Sequence, residues 1–388
     1  MLTDLAEDLA DEGWDVRVIT SRARYASSGP PLARREERNG VKIMRIASSS
    51  IGRDRAIGRL TDYLTYVIGA ALALAGVPRG SIVVGMSDPP LLAALAVAGA
   101  RLRGGRSVYW VQDVFPDIAT RLGVLRENGT LHRLLSRFAR AVQSRCDAAV
   151  ALGAMMAKKL EQGGAPRERI FTIHNWADTR AIVPLAAAEN PFVRANGLEA
   201  KFVVLYSGNA GRAHVFSAVV DAMRLLRDRN DIVFLFVGGG FRIGELKRAV
   251  AEHRLLNARF MDYMPRDQLA FSLSAANVSL VTEDPRVVGL LVPSKTYGIM
   301  ASGRPIIFVG SGESDVAAVV RAADCGDVVS VDDPQALADV IRRLENDPAE
   351  AMALGARGRR AAKQSYSREH ATRAWSELLA SLPLSRRA

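Results

Sequence analysis

Short runs rich in Val, Ile and Leu recur along the chain, and the longer stretches between them repeat apolar residues every three or four positions. The short runs predict strands at 15–20, 41–46, 82–86, 107–111, 148–151 and 170–173. A second series follows at 202–206, 233–237, 258–261, 278–281, 305–309 and 328–331. These runs are apolar almost throughout instead of alternating, the pattern of parallel strands covered on both faces. Strands and helices in alternation predict an α/β fold with two parallel sheets.

Residues 178–201 gather Pro184, Asn190-Pro191 and Asn196-Gly197 without strong periodicity. This predicts a first domain over 1–180, a linker over 181–200, a second domain over 201–365, and a closing helix and tail over 366–388. The opening departs from the expected order. Leu2, Leu5 and Leu9 share one helix face, which Gly13 closes ahead of the first strand. A doubly wound domain ordinarily begins with a strand and a glycine-bearing turn before that helix. The expectation is therefore that the first strand is missing, with ~15–20 natural residues preceding Met1. Further on, Tyr63, Leu64, Tyr66, Val67, Ile68, Leu72 and Leu74 mark an apolar helix. Its unbroken part is shorter than the ~20 residues of a membrane span, which predicts a buried or membrane-facing helix of a soluble domain.

A hydrophobic share of 49% with 24% charged residues excludes a disordered chain. Cys146 and Cys325 lack metal-ligand spacing, and the start, Leu2-Thr3-Asp4-Leu5, is acidic where a signal peptide is basic. Both features predict free thiols in a cytoplasmic setting. The formal net charge of +11 fits an anionic partner, whether membrane face, nucleic acid or phosphorylated substrate, and equally fits an Arg-rich basic habit. Aromatic residues, at 6%, do not interleave with basic clusters, so nucleic acid is not expected.

Three strand-to-helix turns in the second half suit a diphosphate. They are Tyr206-Ser207-Gly208-Asn209-Ala210-Gly211-Arg212, Val237-Gly238-Gly239-Gly240-Phe241 and Val292-Pro293-Ser294-Lys295. In an open parallel sheet such loops gather at the strands' C-terminal ends, where backbone N–H groups face an anion. Arg212 grips phosphate as a fork and Lys295 as a compact charge. Gly238-Gly239-Gly240-Phe241-Arg242-Ile243 has Ile in place of the last glycine of a dinucleotide fingerprint, and no P-loop occurs. No metal-ligand spacing is present, and neither metal nor cofactor is expected.

The run from Val292 through Ser294-Lys295-Thr296-Tyr297-Gly298 to Gly303-Arg304-Pro305 resembles the donor-site signature of retaining glycosyltransferases of family 4, GT-B fold. It is most similar to the branch building bacterial surface polysaccharides of the colanic-acid and O-antigen type. Gln112-Asp113-Val114-Phe115-Pro116-Asp117, His174-Asn175-Trp176-Ala177-Asp178 and Leu205 to His214 agree in order and spacing. The resemblance implies two Rossmann-like domains facing across a cleft, with the closing helix packed back toward the first. It implies a nucleotide-sugar donor, a UDP-sugar by expectation, held by Gly208, Asn209, Gly211, Arg212, Gly238, Gly239, Tyr263, Ser294 and Lys295. Gln112 and Asp113 would form the acceptor side. Asp113, Arg212 and Lys295 would carry catalysis, by front-face displacement with retention in which the leaving phosphate takes the acceptor's proton. Asp113 has a second reading as the cap of the helix that Pro116 begins.

Two departures stand out. Where many members carry two glutamates, this chain has Leu290 and Gly298, and Gln112 replaces a common histidine. The resemblance also implies a polyprenyl-diphosphate-linked saccharide acceptor and peripheral attachment to the inner membrane. Leu131, Leu134, Leu135, Phe138 and Val142 share a helix face flanked by Arg133, Arg137, Arg140 and Arg145. That pattern suits an anionic bilayer, or else a helix whose apolar face enters the first domain's core. Two alternatives stay open. A nucleotide-sugar epimerase of the same fold would draw on His214, Asp113, Glu283 or His174. An inactive nucleotide-binding relative would need no chemistry.

Overall fold

The computed structural model describes residues 1–23, 32–47, 56–90 and 92–383. In the first half, β1 (Arg17–Ser21), β2 (Arg35–Arg38) and β3 (Val41–Ile46) form one sheet in the order β1-β3-β2. A second sheet holds β4 (Ile82–Met86), β5 (Arg106–Trp110), β6 (Ala148–Ala151) and β7 (Ile170–Thr172), parallel throughout. The second half contributes β8 (Phe202–Ser207), β9 (Ile232–Val237), β10 (Ala258–Met261), β11 (Val278–Thr282), β12 (Ile306–Val309) and β13 (Gly326–Val329). Their order is β10-β9-β8-β11-β12-β13, again all parallel. Every run expected as a strand is one, its ends within two residues of the expectation. The physical cause is burial on both faces: β9 is buried at all six positions and β11 at all five.

Two features correct the expected pair of parallel sheets. First, β2 was not anticipated, and it pairs antiparallel with β3. Its four residues, Arg35-Glu36-Glu37-Arg38, are all exposed, so no apolar run marks it. The signal lay in the turn. Asn39 (φ 48) and Gly40 (φ 72) both take positive φ, the requirement of a tight type I′ hairpin that Asn-Gly favours. Second, the first half divides between β1 and β4, each bonded on one side only among the described residues. Helix Ala56–Leu74 covers the division, packing on β1, β3 and helix Leu92–Leu102. A side chain at Gly69 would collide with Ile46 there.

The closing helix Arg368–Ser381 returns to the first half and packs on helix Leu2–Asp11. Trp375, fully buried, meets Trp110 edge-on at 4.9 Å, and Trp110 stacks on Trp176 at 6.0 Å. Arg368 donates to Asp8 at 2.6 and 2.8 Å. The halves also meet directly. Asp315 accepts from the Met155 and Met156 N–H groups at 2.9 and 3.1 Å. The Val114 N–H donates to the Leu290 carbonyl at 2.8 Å. Cys146 and Cys325 are buried and unbridged.

Candidate functional site

In the six-stranded sheet of the second half the strand order reverses at β8, which has β9 on one side and β11 on the other. Loops leaving the C-terminal ends of these strands border the crevice where open α/β sheets take ligands. Gly208 to Arg212 leave β8, Gly238 to Gly240 leave β9, and Asp262-Tyr263 leave β10.

These loops nest in one another because they are glycine-rich. Gly208, Gly238 and Gly240 have φ of 119°, 125° and 124°, a region that side-chain-bearing residues rarely enter. A Cβ on Gly238 would collide with the Gly208 carbonyl, and one on Gly240 with Asn209 and Ala210. Gly208 N–H donates to the Val237 carbonyl at 2.9 Å, and Ala210 N–H to that of Gly239 at 2.7 Å. The ring of Tyr263 lies over Gly238 and Gly239, and its hydroxyl donates to Asn209 Oδ1 at 3.4 Å.

Lys295 comes up beneath the first loop. Its Nζ and Cε lie 3.7 and 3.6 Å from where a Gly208 Cβ would stand. The same Nζ sits 3.7 Å from the ring centroid of Tyr206, whose hydroxyl donates to the Asn209 carbonyl at 3.1 Å. Lys295 as a whole is half-buried, but its Nζ is cut off from solvent and has no hydrogen-bond partner. Burial lowers its pKa to about 7. His214, also buried, has Nδ1 2.7 Å from the Thr282 carbonyl. Burial first, and then the Lys295 charge, push His214 down to about 3, so its ring is neutral. Arg212 is exposed, its guanidinium 3.5 Å from the Phe241 ring centroid. It has no ion-pair partner among the described residues. Ser294 is exposed, and its hydroxyl is not used to cap helix Lys295–Ala301.

The first half supplies the opposite wall. Ser87 Oγ, at the end of β4, accepts from the Gln112 and Asp113 N–H groups at 2.9 and 3.0 Å. Asp113 pairs in an antiparallel bridge with Leu291, which brings it beside the Val292-Pro293-Ser294-Lys295 run. Burial, and then the charge of Asp88, raise its carboxyl to about 6. Its alternative reading as a helix cap does not hold: helix Asp117–Arg121 follows Pro116 with no side-chain cap. Gln112 Oε1 accepts from Asn175 Nδ2 at 3.3 Å.

The two positions where the family often carries glutamate differ in their surroundings. Leu290 is 4% exposed and gives its carbonyl to Val114. A Cβ on Gly298 would lie 3.7 Å from Leu273 and 4.0 Å from Ile182, so that position looks onto apolar side chains. A carboxylate in place of Leu290 would be buried without a partner.

Sequence reasoning missed Ser87 and Asp88, and it named Tyr206 in its turn without foreseeing the contact with Lys295. Ser87-Asp88-Pro89-Pro90 follows a strand as a turn-forming loop, so the rule that selected the glycine loops also reaches it. Tyr206 gives no such signal, since a tyrosine closing an apolar strand reads as core. Glu283, 2% exposed at the end of β11, is raised to about 8 by burial and then by its acidic neighbours Asp315 and Asp284. Among the described residues no three His, Cys, Asp or Glu side chains gather as metal ligands.

Comparison with known proteins identifies the family. Residues 1–176 match the glycosyl transferase 4-like domain and residues 201–347 match glycosyl transferases group 1. The chain is 30% identical over 267 residues to the probable glycosyltransferase WbjE of Pseudomonas aeruginosa. That match covers 69% of this chain and 66% of WbjE, just under two thirds of the relative's length. It is 24% identical to the putative colanic acid biosynthesis glycosyl transferase WcaI of Escherichia coli K12, over 77% of this chain and 76% of WcaI. The Anabaena protein Alr3699/HepE, solved in complex with UDP and glucose, shares the fold. Its TM-score is 0.75 at 15% identity, over 98% of this chain and 95% of HepE. Two matched domains, in the order and places of the two sheet systems, show that the chain belongs to the two-domain glycosyltransferases of GT-B fold, family 4 type.

Proposed function

We propose that the protein transfers a sugar from a nucleotide-sugar, a UDP-sugar, to a lipid-linked saccharide in surface polysaccharide assembly. The carrying observation is the buried, unpaired Nζ of Lys295 beneath the Gly208 loop. An unpartnered cation in that position is stabilised by an anion bound at the loop, and a diphosphate flanked by Arg212 supplies one. The UDP and glucose in HepE support the donor class, and the colanic-acid assignment of WcaI supports a place in surface polysaccharide assembly.

In this reading the loop amides, Arg212 and Lys295 hold the diphosphate and stabilise the charge that grows as the sugar departs. The bond from the anomeric carbon to the leaving phosphate breaks, and the acceptor oxygen bonds to the same face. The acceptor's proton passes to the departing diphosphate. Asp113 positions the acceptor hydroxyl from the facing wall.

Membrane attachment belongs to the same reading. On helix Thr130–Gln143, Leu131 is 56% and Leu134 64% exposed, among exposed Arg133, Arg137 and Arg140. Of that apolar face only Val142 is buried. Leu64, Ile68 and Leu72 make a second exposed stripe on helix Ala56–Leu74. Among the described residues no helix is long and apolar enough to cross a membrane. Such surfaces suit a protein lying on an anionic bilayer.

The test is incubation with UDP-sugars and a polyprenyl-diphosphate saccharide, with the anomeric configuration of the product read by NMR. Transfer with retention is expected. Interconversion of the donor without acceptor would point instead to an epimerase.

A further inference from the structure

Two large aromatic side chains stand exposed on the loops at the strand tips, Tyr263 and Phe241. Tyr263 covers Gly238 and Gly239. Phe241 follows Gly240 in the turn that leaves β9, and its ring meets a charge: the Arg212 Cζ stands 3.5 Å from the ring centroid. That separation is van der Waals contact. A guanidinium nitrogen pointed at the ring would collide with it, so the group lies with its face toward the ring.

Backbone geometry fixes this pairing. Arg212 belongs to the loop after β8 and Phe241 to the loop after β9, and the two loops are tied on both sides of the ring. Ala210 N–H donates to the Gly239 carbonyl at 2.7 Å, and Arg242 N–H donates to the Ala210 carbonyl at 2.9 Å. Gly240, with φ 124°, permits the approach, since a Cβ there would strike Asn209 Oδ1 and the Ala210 carbonyl. A second arginine, Arg242, lies 5.9 Å from the same ring, but it is committed elsewhere and donates to Glu245 Oε2 at 2.7 Å. Among the described residues the Arg212 guanidinium makes no ion pair and no hydrogen bond.

A stacked guanidinium keeps its donors. All five N–H groups lie in its own plane, so a ring on its face holds it and leaves the fork free for phosphate oxygens. A carboxylate partner would occupy that fork. Stacking also removes, before any ligand arrives, rotamer freedom that an arginine otherwise loses on gripping a phosphate, and such preorganisation raises affinity.

We propose that Phe241 is a positioning residue for the donor: its ring holds the Arg212 guanidinium in place with the N–H edge free to grip the diphosphate. The proposal rests on the reading that Arg212 binds the donor diphosphate, and names what holds Arg212.

A double-mutant cycle tests it, by calorimetric titration of UDP-glucose into the full chain and into Phe241→Ala, Arg212→Ala and the double variant. Arg212→Ala is expected to weaken binding at least ~10-fold, as the loss of a charge-assisted phosphate contact. Phe241→Ala is expected to weaken it about 2–5-fold, the range of an exposed cation–π contact. In the Arg212→Ala background, Phe241→Ala should cost nothing more, because the ring acts through the arginine. Phe241→Tyr, which keeps a ring face, should bind as the wild type, and Phe241→Leu, which keeps bulk without one, should bind as Phe241→Ala. Equal losses from Phe241→Ala in both backgrounds overturn the proposal, since the ring then acts on its own, as a platform for the base would. Wild-type affinity in folded Phe241→Ala or Phe241→Leu overturns it as well, and an accompanying loss in Arg212→Ala shows that the diphosphate reading stands without it. Undiminished binding by folded Arg212→Ala removes that reading, and the proposal with it.

Discussion

Lys295 Nζ lies 3.7 Å from the ring centroid of Tyr206, with no hydrogen-bond acceptor in reach and no contact with solvent. A ring face attracts an ammonium group, yet it replaces only part of the hydration that burial removes. The remainder appears as a pKa lowered to about 7. In the proposed reading a negative ligand above Gly208 supplies the missing partner.

That arrangement gives two opposite pH trends. In the free protein Lys295 titrates near 7, against 10.5 for an exposed lysine. Between those values the unfolded chain holds a proton that the native one lacks, so this group makes stability rise from pH 7 toward 10.5. Affinity for UDP-glucose should move the other way, weakening above pH 7 because binding must restore the proton. Denaturant titrations and calorimetry at pH 7 and 9 check both, and Lys295→Met should flatten both.

The glycine loops predict a local loss. Gly238 has φ 125°, and a Cβ there would strike the Gly208 carbonyl. Gly238→Ala should destabilise the fold by about 1–3 kcal/mol, the range for strained backbone, and open the loop that meets the donor in the proposed reading. UDP affinity should fall at least ~10-fold. Thermal melts with and without UDP measure both effects.

Asp113 should shape the acid side of the rate profile. Its carboxyl is raised to about 6 by burial and then by Asp88. If the ionised form positions the acceptor, kcat/KM falls as pH drops through about 6. Asp88→Asn removes a neighbouring negative charge, which should shift that limb to lower pH. Asp113→Asn should lower the rate and erase the limb. A limb left unmoved by both substitutions removes Asp113 from its assigned place.

Trp375 anchors the closing helix against Trp110. Trp375→Ala should cost about 3–5 kcal/mol, as for other fully buried large side chains. The loss appears in urea unfolding, and Trp375→Phe should recover part of it.

The sheets were legible because parallel strands write burial on both faces directly into the sequence, as β9 does with Ile232-Val233-Phe234-Leu235-Phe236-Val237. β2 escaped because an exposed edge strand needs no apolar residue, although Asn39-Gly40 announced its turn. The turns that gather at the strand tips could be read from glycines at strand ends. What faces them could not, because periodicity tells which side of an element is buried and not what buries it. Tyr206 looks like any core aromatic until Lys295 is seen on its ring. The helix around Leu134 shows the same limit: its apolar stripe fits a core or a membrane equally, and only the fold leaves Leu134 64% exposed.

The central claim is that the amides around Gly208, with Arg212 and Lys295, hold a sugar-nucleotide diphosphate. Calorimetric titration of UDP-glucose into the wild type, Arg212→Ala and Lys295→Ala at pH 7 tests it most directly. The account predicts saturable binding by the wild type and a loss of at least ~10-fold in each variant, about 1.4 kcal/mol. Arg212→Ala should unfold at the wild-type temperature, since that side chain is exposed. Wild-type affinity in both folded variants would contradict it.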